Sequence, residues 1–330
     1  MTSTLLLTQA DIARLVDLRV AIRVVNGAFK AMARGKTSMP PKIYLSLPDG
    51  DFRTMPAWLA QPARCGMKWV NVHPNNRRLK LPTVMAMILI NDPKTGFPLA
   101  LIDGLLITKL RTAAAGAVAA QALARRDSTV AGLVGCGAQA DTQVLALAEV
   151  VRLLRVKVWG FLPQEAQRFC ARMRRSMPHV VFEPVVTVER CVRDSDIVVT
   201  MTPSRRPLVK RAWLADGTHI NAMGADAPGK QELEPRILNE AMVVVDEEAQ
   251  AIHGGELNVP VARGQFRPQQ IRANLGEVLL GRKRGRSSSA ELTVFDSTGL
   301  AVHDIALADT VVRRAIRQGI GRRISFFQRS

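Results

Sequence analysis

The chain has 330 residues, enough to bury a sizeable core and to form about two domains. Its 47% hydrophobic and 22% charged residues are those of an ordinary globular protein, and no run of about 18 apolar residues reads as a membrane span. The formal charge is +18, but the basic residues are strewn over Arg152 to Arg175, Arg263 to Arg286 and Arg313 to Arg329. With only 5% aromatics to interleave for stacking, they read as a solvated, Arg-rich surface rather than a nucleic-acid interface.

The opening residues Met1 to Ile12 lack a basic segment followed by a long apolar core, so no signal peptide is read. The four cysteines, Cys65, Cys136, Cys170 and Cys191, form no C-x-x-C pair and fit a reducing, cytoplasmic compartment. Thr8 with Asp11 is a helix-start signal before Ile12, Leu15 and Val16, and a second helix is expected over Leu18 to Arg34. Lys42 to Leu47, a turn at Pro48 to Asp51, and Phe52 to Met55 read as a hairpin. Cys65 to Val72, Val84 to Asn91 and Phe97 to Ile102 are further strands. The first hundred residues thus predict an α+β unit with an antiparallel sheet.

Thr108 to Arg126 is an Ala-rich helix, and from there the grammar alternates. Strands are expected at Thr129 to Val134, Arg155 to Trp159, Ile197 to Met201, His219 to Ala222, Met242 to Val245 and Leu292 to Phe295. Helical segments fall between, at Gln164 to Met177, Glu189 to Arg193 and Glu234 to Glu240. That alternation predicts an α/β, doubly wound parallel sheet. Gly281 to Ser289 reads as a basic loop. The tail from Ala301 to Ile320 carries helical spacing at Ile305, Ala308, Val312 and Ile316 and is expected to pack back on the first unit.

The chemistry concentrates in a few places. Gly135-Cys136-Gly137-Ala138-Gln139-Ala140 follows an apolar strand and precedes a helix, as in a turn that lets backbone approach a dinucleotide pyrophosphate. Lys68 lies in an apolar strand, where desolvation would lower its ammonium pKa and favour acid–base use, or where it snorkels to water, the latter favoured by composition. Arg111, read as opening the Ala-rich helix, is either a bidentate clamp for a carboxylate or phosphate, or surface charge. Asp226 follows the strand His219 to Ala222, at the end of a parallel strand where α/β ligands bind. The five histidines show no metal-ligand spacing, so no metal site is expected.

Seven blocks occur in order from Lys68 to Ala301: K-W-V-N-V-H-P, L-P-T-V-M-A, L-R-T-A-A-A-G, G-C-G-A-Q, H-I-N-A-M-G-A-D-A-P-G-K-Q-E-L, H-G-G-E-L-N-V and F-D-S-T-G-L-A. Together they resemble the ornithine cyclodeaminase/mu-crystallin family. D-F-R-T-M-P-A, T-P-S-R-R-P-L-V-K and the closing I-S-F-F are most similar to its archaeal-type alanine dehydrogenases. The resemblance implies a substrate-binding and dimerisation domain from residues 1–112 with 301–330, and a Rossmann dinucleotide domain over 113–300. Homodimers of the family join their N-terminal sheets. By motif position, Lys68 and Asp226 match catalytic residues, and Lys42, Lys68 and Arg111 match substrate-binding positions, Lys42 standing where several relatives have Arg. Thr83, Arg111, Thr112, Gly135, Gly137, Ala138, Gln139, Gly160, Phe161, Thr202, Met223, Lys230 and Ser297 match the cofactor lining.

The implied cofactor is NAD. The strand ending Trp159-Gly160-Phe161 lacks the acidic residue that would repel a 2′-phosphate, so NADP is also compatible. Met55 to Pro62 lacks the acid with which cyclodeaminase relatives handle a distal amine, which argues against ornithine. The implied reaction interconverts a small L-amino acid, alanine foremost, and its 2-oxo acid plus ammonia. Reduction of a cyclic imine such as pyrroline-2-carboxylate comes second, ornithine cyclodeamination third, and a binding-only role is the reading from a different class.

Overall fold

A computed structural model describes residues 3–327; the end of the basic stretch that runs to Arg329 lies outside them. The chain divides into two compact units, Met1–Arg111 with Leu300–Ser330, and Thr112–Gly299.

The first unit is built on an eight-stranded sheet. Its spatial order is Arg322–Ile324, Thr4–Leu7, Pro98–Asp103, Val84–Asn91, Ala63–Val72, Gly50–Ala60 and Thr37–Ser38, with Ile43–Leu47 also paired to Gly50–Ala60. Every pairing is antiparallel except Thr4–Leu7 with Pro98–Asp103. Thr4–Leu7 and, beyond it at the edge, Arg322–Ile324 come from opposite chain ends and are additions to the expected sheet. Each is stabilised by distant partners, so local pattern does not reveal it. The hairpin turn is tighter than expected, with Leu47 paired to Gly50. The strand after it continues through Pro56 to Ala60. That proline falls between the stretches paired to Ile43–Leu47 and Thr37–Ser38, so its missing N–H interrupts neither ladder.

The capping box at Thr8 and Asp11 is present, starting Gln9–Leu15, and Leu18–Ala33 follows with Asp17 as its cap. The helix Ala301–Gln318 returns over strands Gly50–Ala60, Ala63–Val72 and Val84–Asn91 and packs against Leu18–Ala33. It buries Ile305, Ala308 and Val312 but leaves Ile316 exposed, contrary to the sequence reading, since this last turn runs out to a left-handed Gly319. Strand alternation puts Met55, Ala57, Leu59, Ile88 and Ile90 into this core. The opposite face is also apolar yet uncovered, with Trp69 43%, Met85 40% and Met87 41% exposed.

The second unit holds eight parallel strands in the spatial order Val181–Pro184, Arg155–Trp159, Val130–Val134, Ile197–Thr200, His219–Ala222, Thr293–Asp296, Met242–Val245, Ile271–Asn274. Ile197 and Val199 belong to one apolar cluster with Phe169 and Leu133, while Val198 belongs to another with Ile220 and Val294. Alternate residues therefore bury against opposite layers, the condition for a doubly wound sheet. The outer strands Val181–Pro184 and Ile271–Asn274 and a small pair, Arg205–Val209 with Gln231–Leu233, were not legible beforehand. They are three to five residues long and contain Glu, Arg or Pro, so they carry little apolar signal. No helix among the described residues is long and apolar enough to cross a membrane.

Candidate active site

In the first unit, Met55, Lys68, Ile88 and Ile102 form one cross-strand row. Lys68 is 1% exposed and does not snorkel to water, as its composition had favoured. The reason is a partner the sequence reading missed: Asp304, fully buried on the helix Ala301–Gln318, accepts from Lys68 Nζ at 2.8 Å. Asp304 also accepts from Arg111 Nε at 3.1 Å. Gly66 makes this approach feasible, because a Cβ there would lie 2.9 Å from Ile305 Cδ1, next to Asp304. The signal was present as an acid on a buried helical stripe, one turn before Ala308.

Burial lowers the Lys68 ammonium from its ordinary value, the Arg111 charge lowers it further, and Asp304 pulls it back, leaving it at about 7. Lys42 lowers it too. Burial alone would raise the Asp304 acid, but Arg111 and Lys68 overcome that and hold it below the usual carboxylate range. His303, edge-on to Phe29, is buried and driven down to about 3, so it is neutral at physiological pH. Arg111 lies inside the helix Leu105–Leu123 rather than opening it, because Asp103 accepts from Leu106 N and starts the helix earlier than expected. Arg53, with its side chain 11% exposed, shares the inner sheet face with Met55, pairs with Asp51, and lies over the Tyr44 ring. Lys42 and Thr83 are half-buried; Thr83 O accepts from His73 N.

In the second unit, one register row runs Trp159, Val134, Thr200, Ala222, Asp296, Val245. Gly135, Gly160, Thr202, Met223 and Ser297 follow this row by one or two residues, so all emerge at the carboxyl edge of the sheet. Strand order reverses between Val130–Val134 and Ile197–Thr200, the switch point at which open α/β sheets take ligands. There Gly135, with φ +105°, lies so close to Met201 O and Thr202 Cγ2 that a Cβ would sit 3.0 Å from each. A Cβ on Gly160 would lie 2.6 Å from Cys136 Sγ, whereas one on Gly137 would meet nothing within 4 Å. Gly137 and Ala138 are exposed, and the helix Ala140–Ala148 begins without a side-chain cap from Gln139. Gln139 Oε1 is buried without a hydrogen-bond partner among the described residues. An open glycine face, uncapped helix N–H groups and an unsatisfied amide oxygen fit a dinucleotide pyrophosphate.

Phe161 is 85% exposed beyond that edge. Arg172 pairs with Asp141 at 2.6 Å and Arg168 Nε donates to Gln164 O, so both basic residues near this turn have partners within the unit. Asp226 pairs with Lys230 in the loop after Met223. Thr112 O accepts from Gln143 Nε2 at 3.3 Å, and Ser297 N donates to Ala222 O.

Comparison with known proteins adds a lineage to this geometry. The profile of the ornithine cyclodeaminase/mu-crystallin family matches residues 2–319. An alanine dehydrogenase of Archaeoglobus fulgidus is 46% identical over 98% of this chain and 99% of its own. A solved archaeal alanine dehydrogenase dimer with bound NAD superposes with a TM-score of 0.94 at 46% identity, over 98% of this chain and 100% of the other. The Thermococcus litoralis Δ1-pyrroline-2-carboxylate reductase, solved with NADH and L-proline, also reaches 0.94, at 34% identity over 97% and 100% of the two chains.

Proposed function

The chain belongs to the ornithine cyclodeaminase/mu-crystallin family, and from that premise we propose that it is an NAD-dependent oxidoreductase interconverting a small L-amino acid and its 2-oxo acid plus ammonia. Alanine is the first substrate to test, and NADP is compatible with the missing acid after Trp159. The observation that carries the reading is the buried Lys68–Asp304–Arg111 cluster, with its amine brought to about 7. An acid–base group works best when its pKa lies near the operating pH, so that neither giving nor taking a proton is strongly uphill.

Bound dinucleotide supplies or accepts the hydride. Arg111, with Nε committed to Asp304, takes the substrate carboxylate through its remaining guanidinium N–H groups, with Lys42 as a second cation. Lys68 as ammonium donates a hydrogen bond to the oxo or imine function and polarises it. As the ammonium it protonates the hydroxyl that leaves as water, and as the free amine it takes the proton from water that enters. Asp304 holds the amine in place and limits how far burial can depress it. Asp226 is the second proton-moving residue, its carboxylate oriented by Lys230. The uncovered apolar sheet face with Trp69, Met85 and Met87 is read as the homodimer contact.

The same groups would serve a cyclic imine, and the 34% identity to a Δ1-pyrroline-2-carboxylate reductase favours that as second reading. The test is NADH and NADPH oxidation with pyruvate plus ammonia, then with pyrroline-2-carboxylate, alongside proline formation from ornithine. Turnover with pyruvate and ammonia is expected. Turnover of the cyclic imine alone would replace the alanine reading, and proline from ornithine without net NADH change would establish a lyase.

A further inference from the structure

Three buried carboxylates in the second unit form a ladder that neither the glycine turn nor the acid–base groups account for. Asp296, at the end of strand Thr293–Asp296, accepts from Glu256 N at 2.9 Å and Leu257 N at 3.2 Å. Glu256 in turn accepts from Glu232 N at 2.9 Å and Leu233 N at 2.6 Å. Glu232 accepts from Thr202 N at 2.6 Å, Thr202 Oγ1 at 2.7 Å and Gly224 N at 3.0 Å. Each acid is fully buried and holds the backbone that carries the next. Two glycines admit the ladder. A Cβ on Gly255 would lie 2.5 Å from Asp296 Oδ2, and one on Gly224 would lie 2.4 Å from Glu232 Oε2 and 2.5 Å from Thr202 O.

The top rung spans the loops after two adjacent parallel strands, Ile197–Thr200 and His219–Ala222. One loop carries Thr202; the other carries Met223 and, two residues past Gly224, Asp226. We propose that Glu232 is the positioning residue that clamps these two loops together and thereby sets the nicotinamide-dinucleotide site, with Glu256 and Asp296 holding Glu232 in turn. The inference rests on the dinucleotide reading above. Three acids are suited to the task because an ionised carboxyl only accepts, and every group aimed at Glu232 donates. An amide of the same shape presents N–H to one of those donors and leaves it unpaired. The cost of burying like charges together falls largely on the lower rungs: burial raises Glu232, and raises Glu256 and Asp296 well above their ordinary values, with Glu232 and Asp296 adding to this for Glu256, and Asp246 and Glu232 for Asp296.

The test is Glu232→Gln in the full-length protein, with NADH as the probe. NADH affinity, read by fluorescence titration, is expected to fall at least about tenfold, as for a lost charge-assisted hydrogen bond. KM for the oxo acid or imine should move less than twofold, because Lys68, Arg111 and Asp304 are untouched. A merely structural role would lower the folded fraction without altering the NADH affinity of what remains. Glu256→Gln, one rung down, should weaken NADH about threefold, and decides the matter if Glu232→Gln does not fold. In the wild type without cofactor, the Thr202 and Gly224 amides should exchange with solvent at least about 100-fold more slowly than unstructured peptide. Unprotected amides, or a variant binding NADH within twofold of wild type, would overturn the clamp while leaving the dinucleotide reading intact. A wild type that binds neither NADH nor NADPH would overturn both.

Discussion

Asp304→Asn is the sharpest perturbation of the acid–base cluster, because it keeps the shape of the side chain while removing its charge and one of its two acceptor oxygens. At 2.8 Å from Lys68 Nζ and an effective dielectric of about 20, the gross attraction lost is about 6 kcal/mol. At about 1.4 kcal/mol per pKa unit that corresponds to about four units, of which the retained amide oxygen and solvent relaxation recover much. The Lys68 amine, already at about 7, should therefore fall by at least about one further unit. In the reductive direction, where the ammonium form polarises the carbonyl or imine, activity declines as pH rises through this pKa. The alkaline limb of the kcat profile should thus move to lower pH by at least about one unit. Arg111 is left without its carboxylate, and breaking a buried ion cluster costs about 3 kcal/mol, or about 6–12 °C in Tm. The assays are kcat against pH from 5 to 9 and thermal unfolding of both proteins. A limb that stays put, or moves to higher pH, would refute the account of Lys68 as the titrating group and of Asp304 as its support.

Asp226→Asn should lose turnover by at least about 100-fold while still quenching tryptophan fluorescence on adding NADH; normal turnover would remove Asp226 from the mechanism. Gly135→Ala forces a side chain into a φ +105° backbone 3.0 Å from Met201 O, so NADH affinity should drop by about tenfold or more, and unchanged affinity would place the pyrophosphate elsewhere. His219 is buried and lowered to about 3 by desolvation, so the unfolded chain binds the extra proton between its ordinary 6.5 and 3. Stability from this group is full above about pH 6.5 and is lost as pH falls, at about 1.4 kcal/mol per unit. His219→Gln should flatten the denaturation-versus-pH slope by that amount, and an unaltered slope would contradict it. Trp69→Glu places a charge on the uncovered apolar sheet face and should shift the species seen by sedimentation from dimer to monomer; a persistent dimer would assign the contact to another surface.

Much of the architecture was readable because its causes are local. Alternating strand and helix signals from Thr129 onward announced a parallel sheet, since strands covered on both faces need near-continuous apolar residues such as Ile197 to Val199. The Thr8–Asp11 capping box closes within four residues, so its spelling sufficed. The turn at Gly135 was readable for the same reason, as a strand, a tight bend and a helix start in direct succession. The strands Thr4–Leu7 and Arg322–Ile324 were not, because each is specified by a partner far along the chain.

The same division runs through the proposed site residues. An apolar strand around Lys68 marked it as unusual, but its composition could not choose between a desolvated amine and one reaching water. The choice was made by Asp304, 236 residues away, delivered onto the strand by a helix that passes close over Gly66. Likewise, Glu232 read only as part of a Q-E-L motif until the fold set its carboxylate beneath Thr202 and Gly224. The sequence by itself determined the longer, apolar elements, the glycine turn and the family. Only the tertiary structure decided the charge environment of the lysine and the bracing of the loops, because electrostatic and hydrogen-bond energies depend on distance in space, not separation along the chain.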